Sequence, residues 1–310
     1  MARSVVCAGI VVADVFVPPL ARLPEPGELV ATDDFVVETG GCAANAAIAL
    51  ARLGVRPTIV AKVGGDHFGD FIVDELSAAG VDVSGVGRAA GLGTSKTVIV
   101  PVSGEDRRFI HTFGANAALC AADIAAAIDP APDVLYIGGF LVLPALRQDE
   151  LAAQLRRARR SGTRVVLDVV APAGQALSLD DVASVLTEVD YFVPNDDEAA
   201  ALTGASDPHR QAERLLELGA GTVIVTMGER GLVAAGPDGR PVLAPGSEAI
   251  NAALRRRLLA TLVSLGATGQ TGECHRIATL GATTAPVVVV VGLGAPARRG
   301  GRVDSRGSRR

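Results

Sequence analysis

Short apolar runs alternate with helix-like stretches along most of this sequence, and that alternation restricts the fold more than any other feature. Residues 5–12, 58–63, 134–137, 164–169, 191–193 and 222–226 have the apolar, largely β-branched character of strands. Between them, residues 45–53, 68–79, 149–160, 180–188, 197–202 and 209–218 have helical character, the first two stopping at Gly54 and Gly80. Strands and helices in alternation predict βαβ units, and hence an α/β fold around a mainly parallel sheet. Strands that are apolar throughout fit a sheet covered on both faces. Two stretches break the pattern. Residues 15–38 contain Pro18, Pro19, Pro24 and Pro26, then the alternating segment LVATDDFVVE. Residues 94–112 form a hairpin pattern with a turn at Ser103, Gly104, Glu105 and Asp106. Both predict a small antiparallel flap beside the main sheet, with two plain surface hairpins as the alternative.

Composition narrows the class. A chain of 310 residues with 49% hydrophobic and 20% charged residues can bury a large core and is not disordered in bulk. A net charge of -5 argues against nucleic acid as a partner, the basic stretch 298–310 being a local exception. Cys7, Cys42, Cys120 and Cys274 are widely spaced with no CxxC pair. A zinc site or disulfide framework is therefore not expected, and a reducing cytoplasm is. The N-terminal residues lack the apolar run and cleavage site of a secretory signal, and no stretch has the length of a membrane span. The run 287–291 reads as a buried strand or an unpaired tail segment.

In an open α/β sheet, ligands bind beyond the carboxyl ends of the strands. Several motifs fall at such ends. Asp14 follows the first apolar run and can accept hydrogen bonds from hydroxyls; an ordinary turn aspartate is the alternative. Gly40, Gly41 and Asn45 open a helix, where glycines admit close backbone approach and an amide suits hydroxyl groups; such pairs also occur in plain loop-to-helix turns. Gly64–Gly69 reads GGDHFG, a structural turn with Asp66 as N-cap and His67 at the surface. Asn195 and Glu198 are three residues apart at a helix start, a spacing of oxygen ligands that suits Mg²⁺ beside phosphate, or simply an acidic helix N-terminus. Thr226, Gly228 and Gly231, in TMGERG after a strand, can hold phosphate oxygens through a hydroxyl and backbone N–H groups.

Taken in order, Asp14, the GGxxxN of Gly40 to Asn45, GGDHFG, Gly114-Ala115-Asn116, the NxxE of Asn195 to Glu198 and TMGERG resemble the ribokinase-like (PfkB) carbohydrate kinases. The resemblance runs from about residue 5 to about residue 243. It implies a three-layer α/β/α domain over residues 1–290, with a β lid formed by about 15–38 and 94–112, and a basic, disordered tail at 291–310. It implies ATP and Mg²⁺ as cofactors and a sugar or nucleoside as substrate, with neither nucleic acid nor membrane as partner. Asp14, Gly40, Gly41, Asn45 and Asn116 would bind the sugar. Asn195, Thr226, Gly228 and Gly231 would serve the nucleotide phosphates, and Glu198 the metal through water. The reaction would carry the γ-phosphoryl group of ATP to a sugar hydroxyl, and a homodimer through the lid is compatible with the apolar alternation in 29–37. Ribose, fructose, ketodeoxygluconate and nucleosides remain open as acceptors.

One family feature is missing. A second signature, roughly DTxGAGD, should supply an anion hole and the aspartate that deprotonates the sugar hydroxyl. No Asp occurs here between Asp238 and Asp304. Ungapped alignment puts Arg257 at the base position, where a guanidinium cannot accept a proton, and Glu248 is the nearest carboxylate. Two accounts follow: a reading-frame slip around residues 255–258, with a compensating slip before the family-like segment 273–282, or a pseudokinase that binds sugar or nucleotide without turnover.

Overall fold

The computed structural model describes residues 4–237, apart from 106 and 173, together with three later strands. The chain begins with β1 (Val5–Gly9), β2 (Val12–Phe16) and β3 (Val36–Gly40). It continues through α1 (Cys42–Arg52), β4 (Thr58–Val63), α2 (His67–Ala78) and β5 (Asp82–Arg88). Next come β6 (Lys96–Val100), β7 (Arg108–Thr112), α3 (Ala121–Ala127), β8 (Val134–Gly138), α4 (Gln148–Arg160) and β9 (Arg164–Leu167). Then follow α5 (Ala183–Leu186), β10 (Tyr191–Phe192), α6 (Asp196–Thr203), α7 (Pro208–Glu217), β11 (Thr222–Thr226), β12 (Leu232–Ala235) and β13 (Val242–Ala244).

The main sheet has nine strands in the order β13-β12-β11-β10-β9-β8-β1-β4-β5. It is parallel from β5 to β11 and antiparallel at β12 and β13. The α/β expectation of a mainly parallel sheet is met, and a four-stranded sheet, β3-β2-β6-β7, forms the flap. Two apolar clusters flank the main sheet. One packs Leu135, Ile137, Leu167 and Phe192 against Ile124 of α3 and Leu155 of α4. The other packs Cys7, Ile59 and Ala61 against Ile72 and Leu76 of α2 and the alanines of α1. Helices therefore cover both faces around β1 and β4. Farther along, among the described residues, this second face carries no helix: Tyr191 on β10 is 42% exposed, and Val166 and Ile224 are only partly buried.

The run 5–12, expected to be one strand, divides between the two sheets. Gly9 explains the break. Its φ is +146°, and a Cβ there would lie 2.0 Å from the Gly138 carbonyl oxygen of neighbouring β8. The chain turns out of the main sheet at this close approach. Val11 then hands its N–H to the Asn116 side chain at 3.2 Å, and β2 begins in the flap. Asp14 accordingly sits within the second strand, not at the end of the first. Most of 17–35 adopts no regular structure, so the flap's first part is β2 and β3 and not a hairpin spanning 15–38. The helix expected over 180–188 is a short 3₁₀ turn at Leu179–Asp181 followed by the four-residue α5. The run 287–291 is a strand, pairing antiparallel with Cys274–Ala278 in a separate two-stranded sheet.

Candidate functional site

The carboxyl ends of β1, β8, β9, β10 and β11 lie along one rim of the main sheet, since these strands are parallel neighbours. The flap rises from that rim, because β2 follows β1 there and β3 leads straight into α1.

On the flap side, Asp14 lies in a row of four residues set by strand register: Glu38 on β3, Asp14 on β2, Thr97 on β6 and His111 on β7. The Thr97 hydroxyl and His111 Nδ1 are 3.0 Å apart. Burial pushes the Asp14 carboxyl up, while a hydrogen bond from Thr97 and the nearby His111 pull it back down. Gly40 closes against this aspartate, for a Cβ on it would lie 2.1 Å from Asp14 Oδ2. Gly41 caps α1 with a φ of +96°, and a Cβ there would meet the Ile10 carbonyl oxygen at 2.5 Å. Both glycines are thus required by close approach to the chain that carries Asp14. Asn45 is exposed in the first turn of α1, its N–H bonded to the Gly41 carbonyl at 2.9 Å.

Asn116 has another task. It is 1% exposed, its Nδ2 donates to the Val11 carbonyl at 2.8 Å, and its Oδ1 accepts from the Val11 N–H. The expected sugar contact gives way to a structural clamp on the junction between β1 and β2. Asp66 behaves as the expected N-cap of α2, accepting from the Gly69 N–H at 3.0 Å and from the Thr94 N–H at 2.9 Å. His67 is exposed.

On the sheet side, Asn195 and Glu198 form a reciprocal capping box at α6. Asn195 Oδ1 accepts from the Glu198 N–H, and Glu198 Oε2 accepts from the Asn195 N–H, both at 2.8 Å. Glu198 is 9% exposed, and burial pushes its carboxyl up to about 7. Asn195 forms a β-bridge to Thr226 of β11, whose N–H donates to the Pro194 carbonyl at 2.9 Å. The TMGERG turn folds back on itself, Met227 N–H donating to the Gly231 carbonyl at 2.8 Å and Gly231 N–H to the Gly228 carbonyl at 3.0 Å. Gly228 has a φ of +56° and open space where a Cβ would stand. An ion pair between Arg230 and Asp196 ties this turn to the start of α6. The four phosphate-side candidates, Asn195, Thr226, Gly228 and Gly231, are thus one structural unit.

Between the strands that carry the two sides, β9 leads into Asp168, whose Oδ2 accepts from the Tyr136 hydroxyl at 3.0 Å and whose carboxyl is pushed up by burial. Sequence reasoning missed Asp168, because the run 164–169 reads as one strand, whereas β9 stops at Leu167 and leaves Asp168 just beyond its end. Glu248 and Arg257 lie outside the described residues. Among the described residues no three His, Cys, Asp or Glu side chains cluster to hold a metal. A Mg²⁺ ion bound mainly through phosphate and water needs only one or two carboxylates, and Glu198 fits that lesser demand. No helix among the described residues is long and apolar enough to cross a membrane.

Comparison with known proteins matches this geometry to one family. The family model described as pfkB family carbohydrate kinase matches residues 2–252. The ribokinase of Mus musculus is 30% identical over 239 residues, covering 75% of this chain and 71% of its own. The ribokinase of Staphylococcus aureus is 29% identical over 238 residues, covering 74% and 75%. The solved structure of Arabidopsis thaliana ribokinase complexed with ribose and ATP superposes with a TM-score of 0.65 at 21% identity, covering 84% of this chain and 87% of that one. A second family model, the N-terminal domain of the cytosol aminopeptidase family, matches residues 238–303. The segment where the glycine–aspartate signature should lie is therefore similar to a different family in the frame as written.

Proposed function

Because the chain belongs to the pfkB family of carbohydrate kinases, we propose that its rim site binds a sugar beneath the flap and Mg·ATP against α6 and the TMGERG turn, for transfer of the γ-phosphoryl group to a sugar hydroxyl. The observation that carries this reading is the joining of Asn195 to Thr226 at the same rim where Gly40 and Gly41 close on the Asp14 strand. Asp14 and Asn45 offer the acceptor and donor atoms that sugar hydroxyls need. The helix start at Asn195 and the open turn at Gly228 offer N–H groups to phosphate. A Mg²⁺ ion would neutralise phosphate charge, and Glu198, held in place by its capping box, is the carboxylate suited to hold it through water. Phosphoryl transfer rests mainly on such positioning and charge neutralisation. Ribose is the first acceptor to test, since the mouse and Staphylococcus relatives are ribokinases.

Turnover should be slow. General-base assistance contributes about 10² to 10⁴ in rate, and the chain as written has no aspartate between Asp238 and Asp304 to give it. That absence favours the second reading, a pseudokinase that binds sugar or nucleotide on the same fold. One experiment separates them: sugar-dependent ADP release with Mg²⁺, alongside ligand-induced thermal stabilisation. Turnover abolished by Asn195→Ala supports a kinase. Stabilisation by ribose or Mg·ATP without turnover supports the pseudokinase. Neither stabilisation nor turnover overturns both.

We place the protein in the cytoplasm, in keeping with free Cys7, Cys42 and Cys120. We also read it as a homodimer through the flap, whose Phe35, Val36, Phe109 and Ile110 are all exposed and would be covered by a second copy. The kinase unit was expected to extend to residue 290; the switch of family likeness between 238 and 252 argues for an earlier end.

A further inference from the structure

His111 is the last residue but one of β7, where the chain returns from the flap to the rim. Five residues on, Asn116 clamps Val11 through both atoms of its amide. The histidine therefore stands at the base of the flap and not at its tip. Register puts it level with Asp14, which pairs with Thr97, while Thr97 pairs with His111. Cross-strand partners point to the same side of a sheet, so His111 shares the face that carries Asp14. Two strand spacings, about 10 Å in all, separate the two residues. The imidazole is exposed, yet its direction is set. Nδ1 lies 3.0 Å from the hydroxyl of Thr97, a residue only 8% exposed. The ring meets that of Phe113 edge to face, with centroids 4.8 Å apart and planes at 81°. Among the described residues no further hydrogen bond reaches the imidazole, so Nε2 is the position left for a ligand.

Resting on the sugar-site reading above, we infer that His111 is a specificity-determining residue, whose Nε2 takes one acceptor hydroxyl across the flap face from the part of the sugar held by Asp14. A hydroxyl both donates and accepts, so it matches Nε2 in either tautomer of the neutral ring. In the open site water serves that atom. A sugar beneath the flap displaces the water, and an acceptor with no hydroxyl at that place leaves Nε2 buried and unpaired, which weakens its binding. The ligand class is thus an acceptor with hydroxyls at two separated places, one for Asp14 and one for His111. Thr97, lying between them in the row, holds the imidazole by its other nitrogen and keeps Nε2 aimed at the ligand.

The test is calorimetric titration of the full chain with ribose and with each of its singly deoxygenated analogues, in the unaltered protein, His111→Phe and His111→Gln. His111→Phe keeps a ring beside Phe113 and removes the hydrogen bond. It should weaken ribose about three- to tenfold, the contribution of one ordinary hydrogen bond. One deoxy analogue should bind the unaltered chain more weakly by a similar factor and lose nothing further in His111→Phe, since the partner of its missing hydroxyl is already gone. The other analogues should be weakened by His111→Phe as much as ribose is. His111→Gln, whose amide reaches the place of Nε2, should recover part of the loss. Should His111→Phe not fold, His111→Ala provides the same comparison. Ribose affinity unchanged by the substitution overturns the inference. So does equal weakening of ribose and every analogue, which assigns His111 to the shape of the flap. In both cases ribose binding by the unaltered chain leaves the sugar-site reading standing. An unaltered chain that binds neither ribose nor any analogue overturns that reading and the inference with it.

Discussion

Gly40 and Asp14 fit together only as a pair, since a methyl group on Gly40 would stand 2.1 Å from Asp14 Oδ2. Gly40→Ala should therefore push the carboxylate out of its row with Thr97 and Glu38. Overpacking of this kind costs about 1–3 kcal/mol, leaving a folded chain. The expected outcome is loss of ribose-induced thermal stabilisation with stabilisation by Mg·ATP retained. Equal loss of both would mean that Gly40 serves general stability and not the sugar side.

Thr97 tunes the same carboxylate. Its hydroxyl hydrogen-bonds Asp14 and lies 3.0 Å from His111 Nδ1. Thr97→Val keeps the shape and removes the bond, leaving a partly buried carboxyl with fewer partners. A hydrogen bond to a charged group contributes about 1.5–3 kcal/mol, so ribose affinity should fall roughly tenfold or more. Calorimetric titration checks this, and unchanged affinity would remove Asp14 from the sugar contacts.

Much of this site could be read from residue order, because its parts sit at strand ends and helix starts with strong local signatures. Asp66 takes the N-cap role read for it, and Asn195 and Glu198 open a helix as expected, joined there in a capping box that was not foreseen. β4 and β11 fall where apolar runs place them. What the sequence hid was non-local. The break at Gly9 depends on the backbone of β8, more than a hundred residues away, and turns one apolar run into strands of two sheets. The engagement of Asn116 by Val11 depends on the same crossing, so a side chain that looked free to bind sugar is already occupied. β5 escaped notice because Gly85 and Gly87 dilute its apolar pattern, and α3 because seven residues make a weak periodic signal. Asp168 acquires meaning only when β8 brings the Tyr136 hydroxyl to it.

Glu198 should make stability depend on pH. Burial raises its carboxyl to about 7, against about 4.3 for an unperturbed glutamate. The folded chain thus holds the proton more tightly than the unfolded one. The associated stability is complete below the unfolded value and is lost as pH rises through about 7. The melting temperature of the unaltered chain should decline relative to Glu198→Gln between about pH 5 and about pH 8. Mg²⁺ with nucleotide at the upper end should recover the difference only where the glutamate is present. Parallel pH profiles for the two proteins would show that Glu198 is not held as described.

The flap's exposed apolar residues give a separate test of assembly. Ile110 on β7 is 69% exposed and Phe109 beside it 58%. A second copy covering them would gain about 25 cal/mol for each Å² of apolar area removed from water. Ile110→Glu would place a charge in that contact and should convert a dimer to a monomer in sedimentation equilibrium, with melting of the isolated subunit little changed. A monomer before substitution would show that the flap face does not pair copies of the chain.

The last expectation concerns the missing base. The described part of the chain carries the groups proposed for sugar and for phosphate, while the later segment is similar to an aminopeptidase domain and has no aspartate where the family needs one. If the two defects are confined to that segment, replacing residues from 245 onward with the corresponding part of a ribokinase should restore sugar-dependent ADP release. The gain should be at least about 10²-fold for the base alone, and larger with the anion hole, each of whose donors contributes on the order of 10². Ribose affinity should change far less than turnover, because Asp14, Gly40, Gly41 and Asn45 are untouched. A graft that folds and binds ribose yet releases no ADP would place a second catalytic defect on the phosphate side, with the start of α6 at Asn195 the first place to look for it.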